Sequence, residues 1–394
     1  MTSSLVIVGR VILFLTFLAL VQSSNAVYNV VSYGAKSNGR TDSALAFSKA
    51  WSAACRSTVP ATIYVPRGKF LLGAIVFRGP CRSRVTFRMY GTLLASSNYW
   101  SLGNSNDWIL FQYVNRLSIH GGTLNAQGAT YWACRRSGKS CPTPAKTISF
   151  QRSSNVLVSG LTSFNSKMFH FFVARCTNVR IQGVRIFAPS WSPNTDGIHV
   201  QTSSGITITS SLIKTGDDCI SMGPGSKNVW IDRISCGPGH GISIGSLGQY
   251  ANEEAVQNVT VRNVVFTGTQ NGVRIKSWET AYPGSVTSVQ FRNIIMRNVF
   301  NPIIIDQEYC PSNINCPNKS SGVKISRVTY KNIKGTSATQ VAASFVCSPS
   351  NPCQGIKLRD INLSHHTRKL AVTSYCKNAR GSTSGPVLPR SCLT

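Results

Sequence analysis

A short strand-like pattern recurs along the chain at intervals of 23 to 34 residues, and this repeat restricts the fold more than any other feature. Each copy alternates apolar with polar residues, which is the periodicity of a half-buried strand. The first pattern occurs at Asn155-Val-Leu-Val, Asn178-Val-Arg-Ile, Gly205-Ile-Thr-Ile, Asn228-Val-Trp-Ile, Asn258-Val-Thr-Val, Ser288-Val-Gln-Phe, Gly322-Val-Lys-Ile and Gly355-Ile-Lys-Leu. A second pattern interleaves with it at Gly197-Ile-His-Val, Cys219-Ile-Ser-Met, Gly241-Ile-Ser-Ile, Gly272-Val-Arg-Ile and Pro302-Ile-Ile-Ile.

Repeats of about 20 to 35 residues that contain several short strands and turns indicate a solenoid. No amphipathic helix separates the copies, so leucine-rich and helical repeats fit poorly. The pattern predicts an all-β, right-handed parallel β-helix in which Val and Ile ladders fill the interior of the stacked coils. Residues 42–55 have helical spacing, with Thr41 or Asp42 as N-cap, and are predicted to form a short helix that covers the open N-terminal end.

The first 26 residues have the features of a secretory signal peptide. Arg10 gives a positive start, residues 11–21 are apolar, and Ser24-Asn25-Ala26 supplies the small residues of a cleavage site. The apolar run is too short to span a membrane, since a span needs about 18 or more apolar residues. The sequence therefore predicts a signal peptide over residues 1–26 and a single soluble, secreted domain over residues 27–394.

The cysteines agree with export, because all 13 follow Ala26 and secreted chains oxidise such thiols. Cys176 is left as the odd, buried thiol once the plausible pairs are formed. These pairs are Cys134 with Cys141, Cys219 with Cys236, Cys310 with Cys316, Cys347 with Cys353, Cys55 with Cys81, and Cys376 with Cys392. Three sequons, at Asn258, Asn318 and Asn362, are candidate glycan sites.

The charge balance predicts an anionic partner. The chain has 41 Lys and Arg against 12 Asp and Glu, a formal charge of +29, and removal of the signal with its single Arg leaves +28. Export argues against nucleic acid, and the scattered basic residues argue against both a nucleic-acid arm and a membrane anchor. An acidic polysaccharide remains as the favoured partner. The alternative is a solvated basic surface that adsorbs to a matrix.

Three of the 12 acids nevertheless fall within one 23-residue window, at Asp196, Asp217 and Asp218. In a parallel β-helix, equivalent positions on successive coils lie about 4.8 Å apart. Counting back two residues from the first apolar position of each second-pattern strand places Asp196, Asp218 and His240 in one row, with Asp217 beside it. The outward positions of the same strands are His199, Ser221, Ser243, Arg274 and Ile304, and Lys276 points the same way as Arg274.

This row predicts a catalytic groove on the outside of the solenoid. A lone Asp in a turn is commonly just a turn residue, and Asn ladders are structural, but three stacked carboxylates repel one another. Like charges held this close raise one pKa while the others stay ionised. Glycoside hydrolysis uses such a split, with one carboxyl that protonates the leaving oxygen and one carboxylate that activates water.

The sequence resembles the polygalacturonases of the pectinase superfamily, and the plant members in particular. The N-terminal YGAKSNGRTDSALAFSKAW also matches, so the resemblance covers nearly the whole mature chain, and a tyrosine that follows the last motif corresponds to Tyr309. Four family motifs occur in order: Asn194-Thr195-Asp196, Gly216-Asp217-Asp218, Gly239-His240-Gly241 and Arg274-Ile275-Lys276.

The resemblance implies hydrolysis of α-1,4 bonds between galacturonate residues with inversion. Asp217 would be the general acid, Asp196 and Asp218 would activate the attacking water, and His240 would tune the acid. Arg274 and Lys276 would bind a substrate carboxylate, and Asn194 and Tyr309 would position the sugar. Gly239 and Gly241 would let the backbone approach the substrate, or form a plain turn. A row spacing near 5 Å favours retention by the general rule, so the stereochemistry is in tension with the resemblance.

Three alternatives share the fold: a calcium-dependent pectate lyase, a hydrolase of rhamnogalacturonan, and a basic wall-binding protein without turnover. The acids outside the motifs form no calcium cluster in the sequence, and His240 with Arg274 and Lys276 favours a galacturonate polymer. No metal or cofactor is expected. The resemblance further implies a cell-wall location, protein inhibitors of pectinases as partners, and a monomer. Endo and exo attack stay open.

Overall fold

The computed structural model describes residues 25–311, 314–367 and 369–394. Its strands form two parallel sheets, sheet A with 17 strands and sheet B with 11, that wind as successive coils of one solenoid. The predicted right-handed parallel β-helix is confirmed. Each coil pairs only with the coil before and the coil after it, as a stacked repeat requires.

Sheet A is the wider surface, and several of its strands bend around a corner of the coil. Its strands are β1 (Ala26–Asn29), β2 (Asn38–Asp42), β3 (Ala61–Val65), β4 (Lys69–Leu71), β6 (Val85–Leu94), β8 (Asn115–Asn125), β10 (Ser154–Ser159), β11 (Thr162–Phe164), β13 (Thr177–Gln182), β14 (Arg185–Phe187), β16 (Ser204–Lys214), β18 (Lys227–Cys236), β20 (Val256–Thr267), β22 (Gly284–Val299), β24 (Val323–Ser337), β26 (Cys353–His365) and β28 (Ala379–Leu388).

Sheet B is the narrower surface and carries the second sequence pattern. Its strands are β5 (Ile75–Arg78), β7 (Asp107–Gln112), β9 (Lys146–Gln151), β12 (Phe171–Ala174), β15 (Ile198–Gln201), β17 (Ile220–Met222), β19 (Ile242–Leu247), β21 (Asn271–Trp278), β23 (Asn301–Tyr309), β25 (Val341–Val346) and β27 (Thr373–Lys377).

The core consists of aliphatic ladders that run along the solenoid. On sheet B, Ile198, Ile220 and Ile242 are register partners on three successive coils, and Val273 and Ile303 continue the ladder. All five side chains are buried. Burial of each such side chain contributes roughly 1.5–3 kcal/mol, so the ladder fixes which residues face inward. Residues between the ladder positions must therefore face outward.

Asparagine ladders line one turn of the coils and explain why the first pattern starts so often with Asn. Asn155, Asn178, Asn228 and Asn258 all adopt positive φ, between 53 and 56°, a conformation that Asn tolerates better than other side chains except Gly. The side-chain amide of each also donates to the Asn or Ser of the preceding coil, as from Asn258 Nδ2 to Asn228 Oδ1 at 2.6 Å. The asparagines thus set both the turn and the spacing of the coils.

One part of the predicted repeat is wrong. Val323 was aligned with Val289, but the register partner of Val289 is Val328, and Val323 pairs with Gly284. The counterpart of Val289 therefore comes a few residues later in the sequence than predicted, because this coil contains the disulfide-closed loop of Cys310 and Cys316. An insertion between coils shifts the spacing along the sequence without shifting the pairing in space.

Helix α1 (Ala44–Arg56) covers the N-terminal end, as predicted, but its N-cap is Ser43, not Thr41 or Asp42. The Asp42 carboxylate instead accepts hydrogen bonds from Ala44 N at 2.8 Å and Gly73 N at 3.1 Å. Trp51 of this helix packs on an aromatic cluster that includes Phe87, with 6.0 Å between ring centroids. A second helix, α2 (Ala129–Arg136), has no counterpart in the sequence prediction.

All six predicted disulfides are present, and Cys176 is buried with a free thiol. Burial raises the pKa of Cys176 to about 11, so this thiol is unreactive and serves as core. The three sequon asparagines are exposed, and glycosylation at them stays a prediction. The predicted signal lies almost wholly in residues 1–24, outside the described residues. No helix in the described part of the chain is long and apolar enough to cross a membrane.

Candidate active site

The three acids of the window meet at the ends of adjacent coils. Asp196 precedes β15, and Asp217 and Asp218 precede β17, so the register of the Ile198–Ile220 pair brings them together. One oxygen from each carboxylate lies within 4.8 Å of the others. The outward row of His199, Ser221, Ser243 and Arg274 is confirmed by the strand register.

Asp196 and Asp218 are buried and held by hydroxyls of that outward row. Ser221 Oγ donates to Asp196 Oδ2 at 2.5 Å, and Ser243 Oγ donates to Asp218 Oδ1 at 2.6 Å. The two serines therefore repeat one contact on successive coils. Sequence analysis placed them on the outward row but gave them no role, because each serine lies 25 residues after the acid that it holds, on the next coil.

Asp217 is the most exposed of the three carboxylates, with 16% of its side chain accessible against 2% for Asp218. His240 Nδ1 lies 3.2 Å from Asp217 Oδ1. The backbone N–H of Asn194 donates to Asp217 Oδ2 at 2.9 Å, and that of Asp218 donates to Asp217 Oδ1 at 2.7 Å. The side chain of Asn194 is thus free to face solvent, and the residue is exposed.

The two predicted cations lie on β21, one coil beyond His240 and two coils beyond Asp217 and Asp218. Lys276 reaches back so that its Nζ donates to Asp218 Oδ2 at 2.9 Å. Arg274 pairs with Asp306, an acid that sequence analysis missed, at 3.2 Å. The ring of Tyr309 lies beneath both cations, with 4.9 Å from its centroid to the Arg274 guanidinium and 5.3 Å to Lys276 Nζ.

The surroundings separate the carboxylates electrostatically. Burial raises the pKa of Asp196 well above its usual range, and the charges of Asp217 and Asp218 raise it further. Burial also acts to raise the pKa of Asp217, but the hydrogen bond and charge of His240, with the Asn194 N–H, lower it to about 2. In the free site the first proton therefore belongs to Asp196, whereas Asp217 is ionised.

Lys276 supplies the compensating charge. Burial lowers the pKa of Lys276, but the Asp218 carboxylate outweighs burial, and the net pKa is raised. Three converging carboxylates could also bind a hard cation through oxygen ligands. The ammonium of Lys276 already takes one Asp218 oxygen, and Ser243 takes the other, so the donor set is poorly suited to a divalent ion.

The two glycines beside His240 are required by the backbone. Gly241 has φ +94°, and a Cβ there would lie 2.2 Å from the carbonyl oxygen of Asn271. A Cβ on Gly239, at φ +152°, would lie 2.9 Å from the carbonyl oxygen of Asp217. The close approach is therefore between neighbouring coils of the protein. The Cys219–Cys236 bridge lies directly behind Asp218 and fixes the same turn.

His199 is a further site residue to which the sequence gave only a position. Its Nδ1 lies 2.8 Å from Ser221 Oγ, and its Nε2 lies 3.2 Å from Gln201 Oε1. Burial lowers the pKa of His199 to about 4, so the ring is neutral. Phe169 stacks on it at 4.7 Å between centroids. A chain of contacts thus connects Gln201, through His199 and Ser221, to the Asp196 carboxylate.

Known proteins resemble this chain both in sequence and in fold. The model for glycosyl hydrolases family 28 matches residues 55–385. A polygalacturonase of Prunus persica is 53% identical over 97% of this chain and 98% of its own length. An exopolygalacturonase of Platanus acerifolia is 44% identical over 94% of this chain and 98% of its own. The crystal structure of an endo-xylogalacturonan hydrolase from Aspergillus tubingensis superposes with a TM-score of 0.78 at 24% identity, covering 92% of this chain and all of that one, and shows the shared fold.

Proposed function

The chain belongs to glycosyl hydrolases family 28, and from that premise we propose that it is a polygalacturonase, a hydrolase of the α-1,4 bonds between galacturonate residues of pectin. The observation that supports this most directly is the cluster of Asp196, Asp217 and Asp218 beside His240 and two cations. One member of the cluster is exposed to a groove on sheet B, and the others are buried beneath it.

In this proposal Asp217 is the general acid, because it is the carboxylate that a glycosidic oxygen above the groove can reach. The cluster keeps one proton, which in the free site belongs to Asp196. When the polymer displaces water and its own carboxylates approach, ionised Asp217 becomes less favourable, and the proton passes to Asp217. His240, bonded to the same carboxylate, orients it toward the leaving oxygen.

Asp196 and Asp218 then hold and deprotonate the attacking water. Both oxygens of Asp218 already accept hydrogen bonds, from Ser243 and Lys276, which reduces its strength as a nucleophile. We therefore favour attack by water and inversion at the anomeric carbon. The oxygen separation within 4.8 Å is shorter than the roughly 6.5–9.5 Å between carboxyl groups typical of inverting enzymes, so the product stereochemistry is a direct test.

Substrate binding falls to the exposed members of the site. Arg274 and Tyr309 lie on the two coils beyond His240, and Asn194 lies with Asp196 at the other end of the cluster. Lys276, with 10% of its side chain exposed, contacts the substrate carboxylate only through the face that Asp218 leaves open. Its second role is to hold the Asp218 carboxylate in place through the hydrogen bond from Nζ to Oδ2.

Residues 1–26 and the basic surface support secretion into the cell wall, where the acidic polymer is the partner. The proposed active form is a monomer. Protein inhibitors of pectinases are the macromolecular partners that fit this setting. Nucleic acid and membranes are not partners.

The test is hydrolysis of polygalacturonate by the purified protein, with and without a chelator. We expect new reducing ends, no unsaturated products, and no effect of the chelator. Proton NMR at early times should show the β-anomer. Unsaturated products that disappear with the chelator indicate a lyase, and no products at all indicate a binding protein. Product lengths over time then separate endo attack from the exo attack named for the Platanus relative.

A further inference from the structure

A cavity of about 410 Å³ opens beside the carboxylates, on the face of sheet B where β15, β17 and β19 end. This is the size of a small-molecule pocket, large enough for one sugar ring. Its lining includes Phe169, His199 and Gln201 from the coils and Gln249, Tyr250 and Glu253 from the loop after β19. His199 connects it to Asp196 through Ser221, so a unit bound here belongs to the same polymer.

The lining of this pocket, all of it in the described part of the chain, contains no Lys or Arg, although the chain as a whole carries a charge of +29. His199 is neutral, since burial lowers its pKa to about 4. Glu253 is the one formal charge. Its two oxygens accept backbone N–H bonds from Gly248, Gln249 and Tyr250, at 2.7 to 3.1 Å.

The two lysines nearest to His199 are already engaged. Lys276 binds Asp218 at 2.9 Å. Lys146 lies 3.4 Å from Asp107 and 4.9 Å from the centroid of the Phe172 ring. A carboxylate placed in the pocket would therefore lose its water without gaining a cation, next to an existing negative charge. An uncharged sugar with an apolar group has no ionic hydration to lose, and its apolar group gains contact with Phe169 and Tyr250.

We propose that this pocket binds a methyl-esterified galacturonate unit, so that the enzyme accepts an ester at one defined position next to the bond it cuts. The proposal rests on the polygalacturonase function proposed above. A partly esterified polymer contains free carboxylates and methyl esters, and the proposal assigns these two groups to different binding positions. The free carboxylate binds at Arg274 and Tyr309, and the esterified neighbour binds at His199, Gln201 and Phe169.

The first experiment uses the wild-type protein and oligogalacturonates that carry a single methyl ester at known positions. Mass spectrometry of the products should find the ester at one position relative to the cut bond and exclude it elsewhere. Cleavage only where every nearby unit is unesterified would overturn the proposal while leaving the polygalacturonase function intact. Failure to cleave the unesterified oligomer would instead overturn the function itself.

The second experiment adds a cation to the pocket. Gln249→Lys changes an exposed side chain of the lining loop, and we expect it to raise kcat/KM on unesterified relative to mono-esterified substrate by about two- to fivefold, the range of an exposed charge pair. Gln257→Lys, on sheet A, makes the same charge change away from the groove and should leave the ratio unchanged. Equal ratios for both variants and wild type would contradict the proposal.

Discussion

The carboxylate row, here Asp196, Asp217 and Asp218, lies at one end of the strands β15, β17 and β19, and the neutral pocket lies at the other end. The row is charged, whereas the pocket is almost without charge. In the row, three acids meet within 4.8 Å and are balanced by Lys276 and His240. In the pocket, burial lowers the pKa of His199 to about 4 and keeps the ring neutral, although its contact with Gln201 acts in the opposite direction. The comparison teaches that the coil register fixes where polar groups stand, while burial and partners decide which of them carry charge.

The largest expected effect is on kcat and follows from the replacement of Asp217, the most exposed of the three acids. Asp217→Asn keeps the size of the side chain but cannot donate the proton, so kcat should fall by about 10²–10⁴-fold while the fold is retained. Gln257→Lys, on sheet A away from the site, is the control, since it should leave kcat on the unesterified polymer unchanged. A kcat for Asp217→Asn within tenfold of wild type would move the acid role to another carboxylate.

A smaller effect distinguishes the two roles of Lys276. Lys276→Gln should lower kcat/KM on polygalacturonate at least tenfold, since a hydrogen bond to a charged group contributes about 1.5–3 kcal/mol. Because the charge of Lys276 acts to lower the pKa of Asp196, its loss should raise that pKa further, and the acidic limb of the kcat profile should move to higher pH.

Arg274→Gln is the matched comparison for Lys276→Gln. It should raise KM without moving that limb, because Arg274 pairs with Asp306 and not with the carboxylate row. Identical pH profiles for the two variants would show that Lys276 acts only on the substrate. Loss of the Lys276→Gln defect in 0.3 M salt, a choice of about twice physiological strength, would indicate a diffuse field.

The smallest expected effect is on the melting temperature of Asp196→Asn, and we expect this loss of an active-site carboxylate to raise it. The pKa of Asp196 is raised in the folded protein, so its contribution to stability is fully present below the unfolded value and is lost as pH rises through the raised value. Asp196→Asn should therefore melt higher than wild type at pH 7 to 8, by no more than a few degrees, with the difference vanishing near pH 4.

Asp232→Asn is the control for this sign. Asp232 is equally buried, but Arg262 and Arg233 pair with it on sheet A, at 3.1 and 2.5 Å. Its replacement should lower the melting temperature at neutral pH, because the two guanidinium groups lose their partner. Equal changes in both variants would show that the surroundings of Asp196 do not hold it under electrostatic stress.

The sequence was sufficient to predict where the backbone places the site residues, but it was insufficient to predict the contacts of their side chains. Alternation in Gly197-Ile-His-Val and its later copies placed Ile198 inside and His199 outside, and stacking then aligned Asp196 with Asp218. Nothing in a strand period indicates how far a flexible side chain extends, so the contact of Lys276 with Asp218, two coils away, was missed. The pocket was missed because residues 248–253 form an irregular loop without periodicity, and α2 is too short to give a clear helical pattern.

Because each coil pairs only with its two neighbours, the length of the solenoid can change in evolution independently of the catalytic residues. The acids come from two successive turns of the stack, His240 comes from the next turn, and the cations and Tyr309 come from the two turns after that. Duplication or loss of a turn near either end would lengthen or shorten the track along which the polymer lies, with no change to the reacting groups. A lineage of such enzymes can therefore diversify in the length of chain it grips, and so in the fragments it releases, while its chemistry stays constant.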